Sequence, residues 1–265
     1  MEWTVLGWLR FNPPMKTILF LLIFSISSFT FASVAVLSDL DDTIKITNSG
    51  KEIDGAINAF LTDDVFSGMP QFLKEAKTYA PDLHILSASP KFLRGKISAS
   101  FKKRNIEIKT LTLKNSLGGE TKLEYKVAAI KKLLEESADD FVLIGDDVGQ
   151  DPEAYEEIQR LYPNRILASY IHVIKNRHFA GTKYWSTFDL ALREFLAGRM
   201  TESAVTLIAE KILKEPKFSF IIPSFAHCPP SAEVWSWQTS TIFSQAAFTL
   251  ASKLSQQCLA RSSGI

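Results

Sequence analysis

Short apolar runs alternate with amphipathic stretches along most of this chain, and that alternation limits its possible folds more than any other feature. Five runs read as buried strands, at 34–38, 83–87, 106–113, 141–145 and 166–171. Helical spacing of apolar residues predicts helices over 70–79, 90–104, 122–136 and 152–161. Pro90 suits a first helical turn, and Asp151 suits a helix N-cap. Strands and helices in this order predict an α/β fold: a three-layer, doubly wound, mostly parallel sheet with helices on both faces. The chain has 265 residues, of which 46% are hydrophobic, enough for one sizeable core. In such sheets the functional groups gather at the carboxyl ends of the strands.

Those ends carry a pattern. The first strand runs into SDLDDT, the second into SASP and the fourth into GDDVGQD. Asp39, Asp41 and Asp42 crowd four positions, and carboxylates this close repel one another and resist burial. The cluster is an exposed acidic turn, or it holds a cation. Alternate residues of an extended segment face the same way, so Asp39 and Asp41 are expected to share a site. One such carboxylate can attack phosphorus, giving an aspartyl-phosphate. The other can protonate the leaving oxygen and later activate water. Two carboxylates facing a phosphate require a cation, and hard oxygen ligands favour Mg²⁺. Asp146 is the further ligand expected from the fourth strand end. Asp147 or Asp151 is expected as a second contact or an outer-shell partner. Asp42 is left over and should point away from the site.

Phosphate also needs donors. Ser87 offers a hydroxyl and nearby backbone N–H groups, and Ser89 reads as the N-cap before Pro90. A lysine should neutralise the phosphate. Lys126 is placed for it within the 122–136 helix, with Lys122 as the rival and a solvated helix face as the alternative for either.

Together these motifs resemble the haloacid dehalogenase superfamily of phosphatases. SDLDDTIKIT, LSASP, YKVAAIKKLL and FVLIGDDVGQDPEAY are similar to the catalytic domain of the actin-patch-type phosphatidate phosphatases, over about residues 34 to 195. The resemblance implies a Rossmann-like, haloacid dehalogenase-type sheet. It implies Asp39 as nucleophile, Asp41 as acid/base and, through its backbone carbonyl, as a metal contact. It further implies Ser87 as phosphate ligand, Lys126 as charge neutraliser, Asp146 as Mg²⁺ ligand and phosphatidate as substrate. A soluble phosphoester or phosphoprotein is the alternative substrate, and a metal- or phosphate-binding module without turnover is the alternative class. The chain departs from the family at Asp147, where relatives often carry serine, and at His172-Val173, where relatives tend to carry an arginine–aspartate pair. The interval 46–66 is short, so a small cap insertion is expected, leaving the site open to a bulky substrate such as a lipid headgroup.

Outside the motifs, Lys16 and the apolar, then Ser-rich, run to Ala32 predict a signal peptide over 15–32, with an uncleaved anchor as the alternative. Met1 and Met15 are both candidate starts. The catalytic domain is expected over 33–200, followed by a helix at 201–214 and a tail to 265 of unknown role. A net charge of +1 points to no charged partner. The basic stretch 91–114 reads as a solvated helix face or a contact with anionic membrane; without interleaved aromatics it does not read as a nucleic-acid site. Cys228 and Cys258 can make at most one bridge, and only in an oxidising compartment. His227-Cys228 has no partner motif that would make it a nucleophile or ligand.

Overall fold

The computed structural model describes residues 33–48, 63–115, 119–231 and 244–262. The expected signal peptide and most of the expected cap insertion lie outside those residues. Six strands form one parallel sheet: β1 (Val34–Ser38), β2 (Asp82–Pro90), β3 (Thr110–Lys114), β4 (Asp140–Asp146), β5 (Ile166–His172) and β6 (Thr182–Tyr184). Their order is β3-β2-β1-β4-β5-β6, so the winding reverses between β1 and β4. A doubly wound sheet opens its binding crevice at the carboxyl ends of the strands flanking such a reversal.

The helices are α1 (Met69–Ala76), α2 (Arg94–Lys103), α3 (Lys122–Glu136), α4 (Asp151–Leu161), α5 (Thr187–Leu196), α6 (Glu202–Leu213) and α7 (Ser244–Ser262). Period-two alternation along the strands sends side chains to two cores. Ala35 and Leu37 of β1 join Leu143, Tyr125, Ile130 and Ile158 beneath α3 and α4. Val36 faces the other way and joins Phe72, Phe101, Phe188, Ile208 and Leu254 beneath the remaining helices. Helix α6 closes against α1 at Gly68. The backbone there has φ +82°, and a Cβ would lie 2.8 Å from Ile212 Cγ1, so glycine meets both the left-handed turn and the close approach.

Several boundaries differ from expectation. Strand β2 continues through Ser89 to Pro90. The expected helix at 90–104 is a 3₁₀ turn, Lys91–Leu93, followed by α2. Pro90 is therefore the last strand residue, and Ser89 caps nothing. The third strand starts only at Thr110, because Asn105 turns the chain at φ +54° and Ile106 is buried in the link that follows. Strand β6 and helices α5 and α7 add to the elements that periodicity predicts.

Cys228 and Cys258 form a disulfide that ties α7 to the loop after α6. Arg261 adds hydrogen bonds to the carbonyls of Ile222 and Ala226. With the cysteines 30 residues apart, the loop-closure entropy removed from the unfolded chain is worth about 3.6 kcal/mol. Cys258→Ser should lower stability by that amount in urea unfolding without reductant. Reductant should bring the wild type to the same value and leave the variant unchanged.

Candidate active site

The reversal between β1 and β4 brings the two acidic strand ends side by side. The β1–β4 register pairs Ser38 with Ile144, and the Asp39 N–H then donates to the Ile144 carbonyl at 2.8 Å. Asp39 therefore leaves β1 where β4 is about to deliver Asp146. Asp151 enters from the first turn of α4, one loop later. Among the described residues, carboxylate oxygens of Asp39, Asp146 and Asp151 lie within 4.8 Å of one another, and all three residues are buried.

Lys126 is set opposite them by α3. That helix starts at a capping box in which the Thr121 hydroxyl accepts from the Glu124 N–H and the Glu124 carboxylate accepts from the Thr121 N–H. The resulting phase turns Tyr125 and Lys126 inward and leaves Lys122 exposed. Lys126 Nζ donates to Asp39 Oδ1 at 2.9 Å and to Asp151 Oδ1. Tyr125 donates its hydroxyl to the Ser87 carbonyl at 3.2 Å, fixing the end of β2 to α3.

The electrostatics follow from the burial. Desolvation raises the Asp39 carboxyl to about 7; Lys126 opposes the rise, and Asp151 and Asp41 reinforce it. Burial likewise pushes Asp146 well above the usual carboxylate range, with the charges of Asp151 and Asp39 adding to it. Burial alone would lower the Lys126 ammonium, but Asp151, Asp39 and Asp146 together outweigh it and raise it. If all three carboxylates ionise against the one ammonium, the cluster carries two negative charges in excess. A divalent cation at these oxygens would bring the cluster to neutrality, and hard carboxylate oxygens suit Mg²⁺. The residues present therefore fit such an ion.

Gly145 makes the cluster possible. A Cβ at this position would lie 2.7 Å from the Asp151 carboxylate. Any side chain there would push Asp151 off both Lys126 and the Asp146 N–H, which donates to Asp151 Oδ2 at 3.2 Å. Gly145→Ala should cost about 1–3 kcal/mol in stability by overpacking and weaken divalent-metal binding. Thermal unfolding with and without added metal checks both effects, and an unchanged metal-induced shift would contradict the close-approach argument.

Asp41 stands on the other side of the strand end. Its Oδ2 accepts from Ser89 Oγ at 2.7 Å and from Ser87 Oγ at 3.2 Å. The Ser89 N–H in turn donates to Ser87 Oγ at 3.0 Å. Ser87 is thus at the site, as the motif order predicts. Ser89 holds Asp41, a contact its sequence position does not announce.

Asp42 turns away. It adopts φ +56°, a conformation aspartate tolerates better than most residues, and its Oδ1 accepts from the N–H groups of Thr47 and Asn48. Asp147 also departs from the outer-shell role considered for it. Its Oδ1 accepts from the N–H groups of Ile174 and Lys175, and its Oδ2 from the Arg177 N–H. Both oxygens therefore serve the loop after β5 instead of the carboxylate cluster. Asp151 is the first helical residue of α4, with Gln150 as the N-cap, and its side chain is engaged by Lys126.

Two further residues, given no role by the sequence reading, support the site. Thr43 donates from Oγ1 to Asp146 Oδ2 at 3.3 Å. His172, at the end of β5, donates from Nδ1 to the Asp42 carbonyl at 2.9 Å and stacks on Tyr184. Burial holds its imidazole below the ordinary histidine range. It steadies the Asp39–Thr43 turn from the position where relatives of the resembled family tend to carry an arginine.

A model of the phosphatidate phosphatase APP1 catalytic domain matches residues 34–173, more than half of the chain. The span runs from the first residue of β1 to just past the end of β5, so it encloses every acidic residue of the site. No curated protein matches the chain. Among solved structures, a chain of the Pnkp1/Rnl/Hen1 complex aligns at 20% identity with a TM-score of 0.37, over 49% of this chain and 43% of that one. The likeness is too slight to support an argument, and less than half of that chain is spanned. On the family match, this protein belongs to the phosphatidate phosphatase APP1 catalytic-domain family.

Proposed function

We propose that this protein is a Mg²⁺-dependent phosphatase that converts phosphatidate to diacylglycerol through an aspartyl-phosphate at Asp39. The observation that carries the reading is the buried set Asp39, Asp146 and Asp151 facing Lys126, with Asp41 and Ser87 alongside. When bound, Mg²⁺ supplies charge compensation for the phosphate dianion that the carboxylates would otherwise repel. Asp39, Asp146 and Asp151 would hold it, with the Asp41 backbone carbonyl as a further contact.

The Asp39 carboxylate attacks phosphorus while the bond from phosphorus to the glycerol oxygen breaks. A proton from the Asp41 carboxyl goes to that oxygen, and diacylglycerol leaves. Water then attacks the acyl-phosphate, its proton passes to the Asp41 carboxylate, and Asp39 is regenerated as phosphate departs. Lys126 keeps Asp39 oriented and offsets negative charge that grows along the way. Ser87 and Ser89 orient the Asp41 carboxyl, and Ser87 offers a hydroxyl to a phosphate oxygen.

A panel with Mg²⁺ present tests the substrate. Phosphatidate in vesicles should be hydrolysed faster than a water-soluble phosphomonoester or a phosphopeptide. Preference for the phosphopeptide or the soluble ester would replace the substrate and keep the chemistry. Divalent-metal binding with no hydrolysis of any of the three would favour a non-catalytic module.

We also propose export. The signal-like segment before Ser33 and the Cys228–Cys258 bridge, which suits an oxidising compartment, support it. Mass spectrometry of the mature N-terminus should find a start near Ser33; an intact N-terminus on membrane-bound protein would favour the anchor.

A further inference from the structure

The turn that follows the serine-bearing strand end has a composition that its fold role does not require. From Pro90 to Asn105 the chain carries Lys91, Arg94, Lys96, Lys102, Lys103 and Arg104 and no acidic residue. Lys103 and Arg104 pair with Asp63. Among the described residues, Lys91, Arg94, Lys96 and Lys102 have no ion-pair partner, and all four are exposed. Helix α2 also lacks an acidic residue in its first turn and places Arg94 and Lys96 there. The amino end of a helix is the positive end of its dipole and ordinarily favours carboxylates. These cations therefore sit where local helix stability would not put them, a departure of the kind found at functional or strained sites.

Phe92 lies among them and is 69% exposed, while the residues that fasten the segment, Leu93, Ile97 and Phe101, are buried. The segment adjoins the site: a cavity is lined by Asp41 and Ser89 together with Lys45, Leu93, Lys96 and Ile97. Ser89, which holds Asp41, stands three positions before Phe92.

We propose that the 91–96 turn docks the protein on an anionic lipid surface, with Lys91, Arg94 and Lys96 against the headgroups and Phe92 in the headgroup–acyl boundary. The inference rests on the phosphatase reading only for its consequence, that docking presents Asp39 and Asp41 to headgroups of the same bilayer. Charge complementarity and one apolar side chain beside the cations match what peripheral membrane binding needs. An extended nucleic-acid site would instead call for several aromatics along a basic groove.

The test uses the full chain and vesicles of phosphatidylcholine, with or without phosphatidylglycerol, a phosphodiester lipid that offers the site no monoester. The wild type should sediment with the anionic vesicles, lose that association as salt rises, and ignore the neutral ones. The double variant Lys91→Glu/Arg94→Glu should weaken partition by at least about tenfold, and Phe92→Ser by several-fold. Both variants should keep wild-type turnover of a soluble phosphomonoester and lose turnover of phosphatidate in vesicles. Equal partition of wild type and variants, or equal binding to neutral and anionic vesicles, would overturn the docking turn and leave the phosphatase reading standing. So would loss of oligonucleotide binding by the double variant with vesicle binding unchanged. If partition follows the variants while no phosphoester is hydrolysed, the docking turn stands and the phosphatase reading fails.

Discussion

Asp39→Asn should reduce turnover by at least about 10⁴-fold with Mg²⁺ present, because it removes the oxygen that attacks phosphorus in the proposed mechanism while leaving every other group in place. The change is nearly isosteric, and the amide oxygen of the new side chain can still accept from Lys126 Nζ. The fold should therefore survive. Without metal the variant should be at least as stable as the wild type, since burial penalises a charge at this position and has pushed the carboxyl up to about 7. Comparing kcat with the urea-unfolding midpoint separates the two effects. A variant that is inactive because it is unfolded would leave the assignment unsupported, and one that turns over at the wild-type rate would refute it.

Lys126→Met should have the larger effect on stability. It keeps most of the side-chain volume and removes the ammonium that hydrogen-bonds the cluster, leaving Asp39, Asp146 and Asp151 buried together. Stripping one partner from a buried ion pair costs about 3–5 kcal/mol, because the remaining charges have neither water nor a counter-ion. The unfolding midpoint in chelator should fall accordingly. Added Mg²⁺ should restore part of the loss, more in the variant than in the wild type, since the cation then supplies the missing positive charge. Equal stability of the two proteins in chelator would contradict a stabilising ion pair between Lys126 and the buried carboxylates. Turnover should fall as well, because Asp39 loses the group that orients it.

How much of the fold is legible in the sequence differs from element to element. Helix α3 is predicted with its observed bounds because its signal is local: apolar residues at helical spacing with charges outside; the structure adds a capping box at Thr121 and Glu124. Strand β1 is equally plain, an apolar run ending abruptly in aspartates. Strand β6 has three residues and α7 is rich in serine, glutamine and alanine, so neither carries enough hydrophobic periodicity to be found. Helix α7 is held by tertiary packing of Ala247, Leu250, Ala251 and Leu254 and by its disulfide.

The site divides along the same line. The motifs name the strand ends that bring Asp39, Asp41, Ser87 and Asp146 together, because chain order places polar and acidic residues there. They do not say which way each side chain turns once the strand opens into a loop. Asp147 follows Asp146 directly yet serves the 174–177 turn, whereas Asp151, which sequence allows as a mere N-cap, joins the cluster. The difference comes from Gly145, whose missing Cβ admits Asp151, and from the distant Lys126 that draws it in. Ser89 departs from its expected capping role for a related reason. Continuing β2 past Ser87 aims its hydroxyl at Asp41 instead of at a helix end.

Quenching the protein in acid during turnover of phosphatidate vesicles with Mg²⁺, and mapping the phosphorylated peptide by mass spectrometry, looks for the aspartyl-phosphate itself. A phosphoryl group is expected on Asp39, absent when Mg²⁺ is withheld and discharged to free phosphate when turnover is allowed to finish. Sustained hydrolysis with the phosphoryl group on another residue would contradict that expectation.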